Sequence, residues 1–289
     1  MIRKAMLLAA AALLALPTAA KERADRYEAM TYNIRLDVAS DGANAWPHRR
    51  AALIALVAYK APDLVGMQEV LQNQKQAVEA DLPAYQFVGV ARDDGKAKGE
   101  YSMLGFRRDR FALVGSGTFW LSPTPDVPSK GWDAALPRIA TWARLHDRTA
   151  KRDLLVVNTH FDHIGEVARQ ESARQIRRWI DGERKPGESA VLMGDFNSPA
   201  TSTAYAAIVE PGKGALHDSR TISRTPHYGP LGTFTGFDIA RVDASPIDHI
   251  FVSDDVAVLR HATLTDQNGG KLPSDHYPVV ADLCIGEAC

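Results

Sequence analysis

Short apolar runs rich in β-branched and aromatic residues recur from end to end of the chain, separated by polar turns. They predict strands at Tyr27 to Ile34, Leu64 to Met67, Gln86 to Val90, Tyr101 to Phe106, Phe111 to Leu121, Ile139 to Leu145, Asp153 to Val157, Ala190 to Met193, His249 to Val252 and Pro278 to Leu283. Two stretches carry a helical period instead. Trp46 to Ala58 places Trp46, Leu53, Leu56 and Val57 on one face, and Gly165 to Asp181 does the same with Ala168, Ser172, Ile176 and Ile180. Strands outnumber helices, which predicts a mixed α/β fold. Turn-rich stretches at Asp37 to Asn44, Asp93 to Gly99, Ser122 to Asp133 and Ser219 to Gly236 are expected to be long loops, either at a functional rim or disordered. No linker or repeat divides the pattern, so one domain is expected.

The N-terminus departs from this pattern. Arg3 and Lys4 precede an apolar run from Ala5 to Leu16, followed by Pro17 and the small residues Thr18, Ala19 and Ala20. That is the layout of a secretory signal peptide. The run is too short to anchor the chain in a bilayer, and Lys21-Glu22-Arg23-Ala24-Asp25 is too polar to extend it. The expectation is an exported protein, periplasmic or secreted, with residues 1–20 removed and residues 21–289 forming the domain.

Composition is ordinary for a globular protein: of 289 residues, 45% are hydrophobic and 24% charged. The net charge is −1, and loss of Arg3 and Lys4 would take it to −3. No basic tail or stripe marks a polyanionic partner, so nucleic acid is unsupported as a ligand, and the chain is expected to act as a monomer without a stable membrane anchor. Cys284 and Cys289 are too few for a four-cysteine metal site. In an oxidising compartment they could close a small loop, or one could be a buried thiol and the other a free terminal one.

The strongest chemical signal is Leu192-Met193-Gly194-Asp195-Phe196-Asn197, where an apolar strand runs into an acid with an amide two residues on. The even spacing lets Asp195 and Asn197 point to one side and hold a water and a phosphate oxygen, although Gly-Asp-x-Asn is also good turn chemistry. Gly66-Met67-Gln68-Glu69-Val70 likewise ends a strand in a carboxylate, the kind of fixed oxygen that a hard Mg²⁺-like cation takes. Asn33 lies in a strand that reads Met30-Thr31-Tyr32-Asn33-Ile34. Near the C-terminus, Asp248-His249 and Ser274-Asp275-His276 set histidines beside carboxylates, the usual equipment for proton transfer near neutral pH.

Taken in order, Tyr32-Asn33, Gln68-Glu69, Asn158-Thr159-His160, Gly194-Asp195-Phe196-Asn197, Asp248-His249-Ile250 and Ser274-Asp275-His276 resemble the endonuclease/exonuclease/phosphatase superfamily. The resemblance spans the mature chain. It implies a deoxyribonuclease I-like two-sheet α/β sandwich with helices on the outer faces, and a divalent-metal-dependent phosphoesterase using Mg²⁺, with Mn²⁺ as a substitute. It further implies that Glu69 is the principal metal ligand, with Asn33 and Asp275 close to the metal or the phosphate. Asp195 would orient or deprotonate the attacking water and Asn197 would position the scissile group. His160 and His276 would flank the phosphorus, supported by Glu100 and Asp248 respectively. Arg49, Arg50 and Arg138 are candidate anion-binding residues, and Phe234 and Phe237 candidates to line the pocket.

The expected substrate is a phosphate ester, cleaved by a phosphodiesterase or phosphatase outside the cytoplasm. A secreted endonuclease or exonuclease is the alternative, and a non-catalytic binding module on the same fold is an alternative of another class. One segment permits a rival metal chemistry. Asn158-Thr159-His160-Phe161-Asp162-His163 resembles the His-x-His-x-Asp-His zinc motif of metallo-β-lactamase-fold hydrolases, with Asn158 in place of the first histidine.

Overall fold

The structure is a computed structural model that describes residues 25–289 apart from 213, 242, 243, 287 and 288. The expected signal peptide over residues 1–20 therefore lies outside the described residues. Among those described, the strands are β1 (Arg26–Asn33), β2 (Leu64–Val70), β3 (Tyr85–Val88), β4 (Tyr101–Arg107), β5 (Phe111–Trp120), β6 (Ile139–Asp147), β7 (Arg152–His160), β8 (Ser189–Asp195), β9 (Leu216–Asp218), β10 (Asp248–Ser253), β11 (Val256–Thr263) and β12 (Val279–Ile285). They form two six-stranded sheets, ordered β11-β12-β1-β2-β4-β3 and β5-β6-β7-β8-β10-β9.

Side-chain alternation along each strand explains why the sheets must be covered on both faces. In β8, Val191 and Met193 join the core between the sheets, whereas Ala190 and Leu192 join the outer core. The inter-sheet core also takes Tyr27, Phe106, Phe111, Val156 and Leu283. Outside the first sheet, the helix Trp46–Lys60 packs Leu53 and Val57 among Met30, Tyr32 and Met67. Outside the second, the helix Glu166–Glu183 packs Ala173, Ile176 and Ile180 among Leu192 and Phe251. This is the two-sheet α/β sandwich with outer helices that the motifs imply.

Polar side chains tie the two sheets together near the site. Asn158, fully buried in β7, donates from Nδ2 to the carbonyls of Met67 at 3.0 Å and Met103 at 2.9 Å on the opposite sheet. Its Oδ1 accepts from Gln68 Nε2 at 2.6 Å, and Gln68 also donates to Thr31 Oγ1 at 3.0 Å. Breaking such a buried network costs on the order of 1–3 kcal/mol for each group left unpaired. Gly66 makes room for it, because a Cβ there would lie 2.6 Å from Asn158 Oδ1.

Several elements differ from the sequence reading. Strand β11 is absent from the expected set because its register shifts between Val258 and Arg260, which breaks the alternation. The helix Gln72–Asp81 was also not expected: it buries only Gln74 and Val78, too few positions to leave a helical stripe. The Asp37 to Asn44 loop contains a 3-10 turn, Ala39–Asn44, and the Ser219 to Gly236 loop opens with the short helix Ser219–Ile222. Cys284 and Cys289 are joined in a disulfide, which decides between the two readings of that pair.

Candidate active site

The topology brings the chemistry to one edge. Strands β1 and β2 run parallel with Asn33 opposite Gln68, and β7 and β8 run parallel with His160 opposite Asp195. Parallel neighbours end on the same side, so Asn33, Glu69, His160 and Asp195 all emerge where the two sheets meet. Strand β10 then sets Asp248 directly across from Asp195. The residues border a cleft of about 400 Å³ lined by, among others, Arg35, Glu69, Glu100, His160, Asp195 and His276.

Three of the seven left-handed non-glycine residues among those described lie here. Arg35, Glu69 and Asn197 hold left-handed φ values of 56°, 60° and 46°, which costs a non-glycine residue about 1–3 kcal/mol and persists only where surrounding contacts enforce it. For Glu69 the enforcing feature is a register shift between Met67 and Val70 that turns the carboxylate out of the sheet. Asn33 Nδ2 donates to it at 3.0 Å and, on its other side, to Asp195 Oδ2 at 2.9 Å. One amide thus bridges two carboxylates.

The two histidines occupy opposite electrostatic settings. His276 Nδ1 is hydrogen-bonded to Asp248 Oδ2 at 2.9 Å, and its Nε2 lies 3.8 Å from Asp195 Oδ2. Burial alone would discharge this ring, but Asp248 and Asp195 outweigh it and push its pKa up to about 10. Burial and then Asp248 hold the Asp195 carboxyl well above the usual carboxylate range. His160 is held far below the ordinary histidine value by burial and by the Arg138 and Arg92 cations. Its Nε2 faces Asn197 Nδ2 at 3.1 Å and Asp195 Oδ2 at 3.5 Å.

The support expected from Glu100 is not a hydrogen bond. Glu100 lies 3.7 Å from His160 Nδ1, which is buried and unpartnered, while both Glu100 oxygens are taken by Arg92 at 2.6 and 2.8 Å. A bidentate guanidinium competes better for a carboxylate than an uncharged ring does. Asn33, Glu69, His160, Asp195, Asn197, Asp248, Asp275 and His276 are therefore brought together as expected, with Glu100 one step removed.

Two of the arginine candidates lie elsewhere. Arg49 is buried and spends its donors on backbone carbonyls, among them Asn44 at 2.9 Å, Arg35 and Ile34, so it staples loops. Arg50 pairs with Asp81 at 2.7 Å on the helical face. Arg138 does line the cleft, and so does Phe234, whose ring lies 5.1 Å from that of His276. Phe237 instead packs 5.8 Å below the Arg49 guanidinium. Arg35, which the motif reading passed over, lines the cleft within 3.8 Å of both Glu69 and Asp275. The basic residue directly after Asn33-Ile34 was the available signal. His249 points away from the cleft and donates to Ser198 O at 3.0 Å, as alternation from Asp248 dictates.

The zinc reading fails on geometry. Asn158 is turned into the inter-sheet network, Asp162 accepts from the amides of Ile164 and Gly165 at 3.0 and 2.8 Å, and His163 faces Arg138. No shared ligand point is left for these residues.

A hard cation fits the other end of the cleft. Asn33 bridges Glu69 and Asp195, Arg35 lies within 3.8 Å of both Glu69 and Asp275, and burial and Glu69 push Asp275 upward despite His276, Arg35 and Arg49. An oxygen-rich set of this kind suits Mg²⁺-like ions. Asp195, Asp248 and His276 also have ligand atoms within 4.8 Å of one another, close enough to share an ion. The 2.9 Å hydrogen bond between His276 Nδ1 and Asp248 Oδ2 already uses those two atoms, while Asp248 Oδ1 is buried without a hydrogen-bond partner.

Residues 30–276 match the model of the endonuclease/exonuclease/phosphatase family. The chain belongs to that family. The match begins and ends within the site motifs, at Met30 and His276, and includes every cleft residue named above. A family protein from Bacteroides thetaiotaomicron is 39% identical, with 90% of this chain and 98% of that one superposed at a TM-score of 0.86. A mannosyl-6-phosphatase from the same species is 40% identical over 90% of this chain and all of its own length, 100%, at a TM-score of 0.85. The human nocturnin catalytic domain, 20% identical with a TM-score of 0.69, shares the fold. A curated relative, an uncharacterised protein of Acanthamoeba polyphaga mimivirus, is 28% identical over 160 residues; the chain spans 59% of its length. Members of the family are divalent-metal-dependent phosphoesterases, and this chain is a hydrolase of that class. The binding-module alternative is left without an observation in its favour.

Proposed function

We propose that the protein is an exported phosphatase that removes phosphate from small, polar alcohols, phosphorylated sugars above all, using Mg²⁺ or Mn²⁺. The observation that carries this reading is the cleft itself. Its volume of about 400 Å³, flanked by Arg35 and Arg138 and walled by Leu136, Phe234 and Ile247, suits a small ester with one dense charge. The 40% identity to a mannosyl-6-phosphatase supports the substrate class, and the net charge of −1 offers little to a duplex polyanion. Export rests on the Arg3-Lys4 start and the Ala5 to Leu16 run.

In this reading Glu69, Asn33 and Asp275 would hold the divalent cation, which supplies charge neutralisation at the phosphate oxygens. Asp195, raised in pKa and fixed by Asn33 and by the Asn197 amide at 2.9 Å, orients the attacking water and takes its proton. His276, kept charged by Asp248, donates from Nε2 to a phosphate oxygen. His160, uncharged and steadied by Asn197, lies on the other side of the phosphorus. As the water oxygen bonds to phosphorus, the bond from phosphorus to the alcohol oxygen breaks and the departing alkoxide is protonated from solvent; positioning and charge carry most of such a reaction. The test is turnover of hexose 6-phosphates, bis(4-nitrophenyl) phosphate, DNA and RNA by purified mature protein with Mg²⁺. Sugar monoesters should lead; preferential cleavage of DNA would make the secreted nuclease the better reading.

A further inference from the structure

The segment that failed as a zinc motif is left with an unexplained construction. Asp162 and Arg138 form an ion pair at 3.2 Å and are only 1% and 4% exposed. Asp162 also gathers the amides of Leu136 at 3.3 Å, Ile164 at 3.0 Å and Gly165 at 2.8 Å. Burying two charges is expensive unless they are paired and hydrogen-bonded; Asp162 is so satisfied, and Arg138 uses Nε and Nη2 while its Nη1 is buried without a partner. The side chain that this mount holds out is His163, exposed on the cleft wall, with Nδ1 2.9 Å from Arg138 Nη2.

That contact fixes the ring chemically. A guanidinium can only donate, so His163 Nδ1 must carry the lone pair and the ring hydrogen must sit on Nε2. The phosphate end of the cleft already has Arg35 and the His276 ring that Asp248 holds by a hydrogen bond. His163 contributes a rigidly mounted N–H, suited to a hydroxyl or ether oxygen, at the edge beside Leu136. We propose that His163 recognises the alcohol half of the substrate by donating from Nε2 to an oxygen of a polyhydroxylated leaving group, with Arg138 as its positioning residue. This rests on the phosphatase reading above, and it assigns the leaving-group side of the same site.

The test is a ratio: kcat/KM for a hexose 6-phosphate over kcat/KM for phenyl phosphate, which offers no hydroxyls. His163→Ala should lower this ratio about tenfold, the worth of one directed hydrogen bond, with the loss falling in KM. His163→Gln, which keeps an N–H donor, should recover part of it. Nitrogen NMR of wild type should place the ring hydrogen on Nε2, and Arg138→Met, which removes the donor, should release that preference and lower the ratio as well. An unchanged ratio in His163→Ala, whatever happens to either substrate singly, would overturn the assignment. If wild type turns over no monoester, the phosphatase reading fails separately. The same ratio is then read with glycerophosphoglycerol over bis(4-nitrophenyl) phosphate, and an unchanged value again overturns the role of His163.

Discussion

The two sides of the cleft contain the same residue type in opposite states. On one side His276 hydrogen-bonds a buried carboxylate at 2.9 Å and is driven toward the charged form. On the other, the carboxylate expected to play that part, Glu100, is held by Arg92, and His160 is discharged by burial and by two guanidiniums. Both rings are almost fully buried, so burial does not separate them. What separates them is the carboxylate hydrogen-bonded to His276, which His160 lacks, and the two guanidiniums that act on His160 instead. A histidine's role is therefore set less by the carboxylate that its motif supplies than by what else claims that carboxylate.

The comparison can be broken most directly at its charged side. Asp195→Asn and His276→Ala should each lower kcat by about 10²–10⁴ with folding intact by circular dichroism, and the double variant should be scarcely worse than the poorer single one. Near-normal kcat for Asp195→Asn would remove the proposed centre. Asp248→Asn should follow, with a loss of about 10²-fold and a changed pH profile. The sign follows from His276, whose raised pKa keeps it protonated up to about 10. Without Asp248 the proton leaves at lower pH, so activity should fall earlier as pH rises.

Glu69→Gln should lose a similar amount but regain part of it as Mg²⁺ or Mn²⁺ is increased, whereas Asp195→Asn should not. Metal titrations of the two variants side by side make that distinction. The smallest catalytic effect belongs to the discharged side: Glu100→Gln should cost about tenfold or less, because the residue acts on His160 only across 3.7 Å. A loss equal to that of Asp248→Asn would erase the asymmetry. A third histidine gives a baseline away from the cleft. Burial holds His261 down at about 3, so its uncharged form contributes stability above about 6.5 that is lost as pH falls toward 3. His261→Gln should flatten the acid limb of the Tm–pH curve in that window.

Much of the fold was legible because burial on both faces of a sandwich leaves near-continuous apolar strands, and β8 with its terminal Asp195 is the clearest example. Strand β11 was hidden by a bulge and the helix Gln72–Asp81 by its sparse apolar face, both cases in which the local period is interrupted or weak. The sequence by itself determined which carboxylates, amides and histidines end strands, and hence the members of the site and their family, since strand ends are local properties of the chain. Only the tertiary structure decided which partner each of them keeps. Arg92 and Glu100 are eight residues apart, but Asp248 and His276 are 28 apart, Asn33 and Asp195 are 162 apart, and Arg138 meets His163 through a loop. Charge state depends on those pairings through space, where a few ångströms between buried groups outweigh any neighbour in sequence.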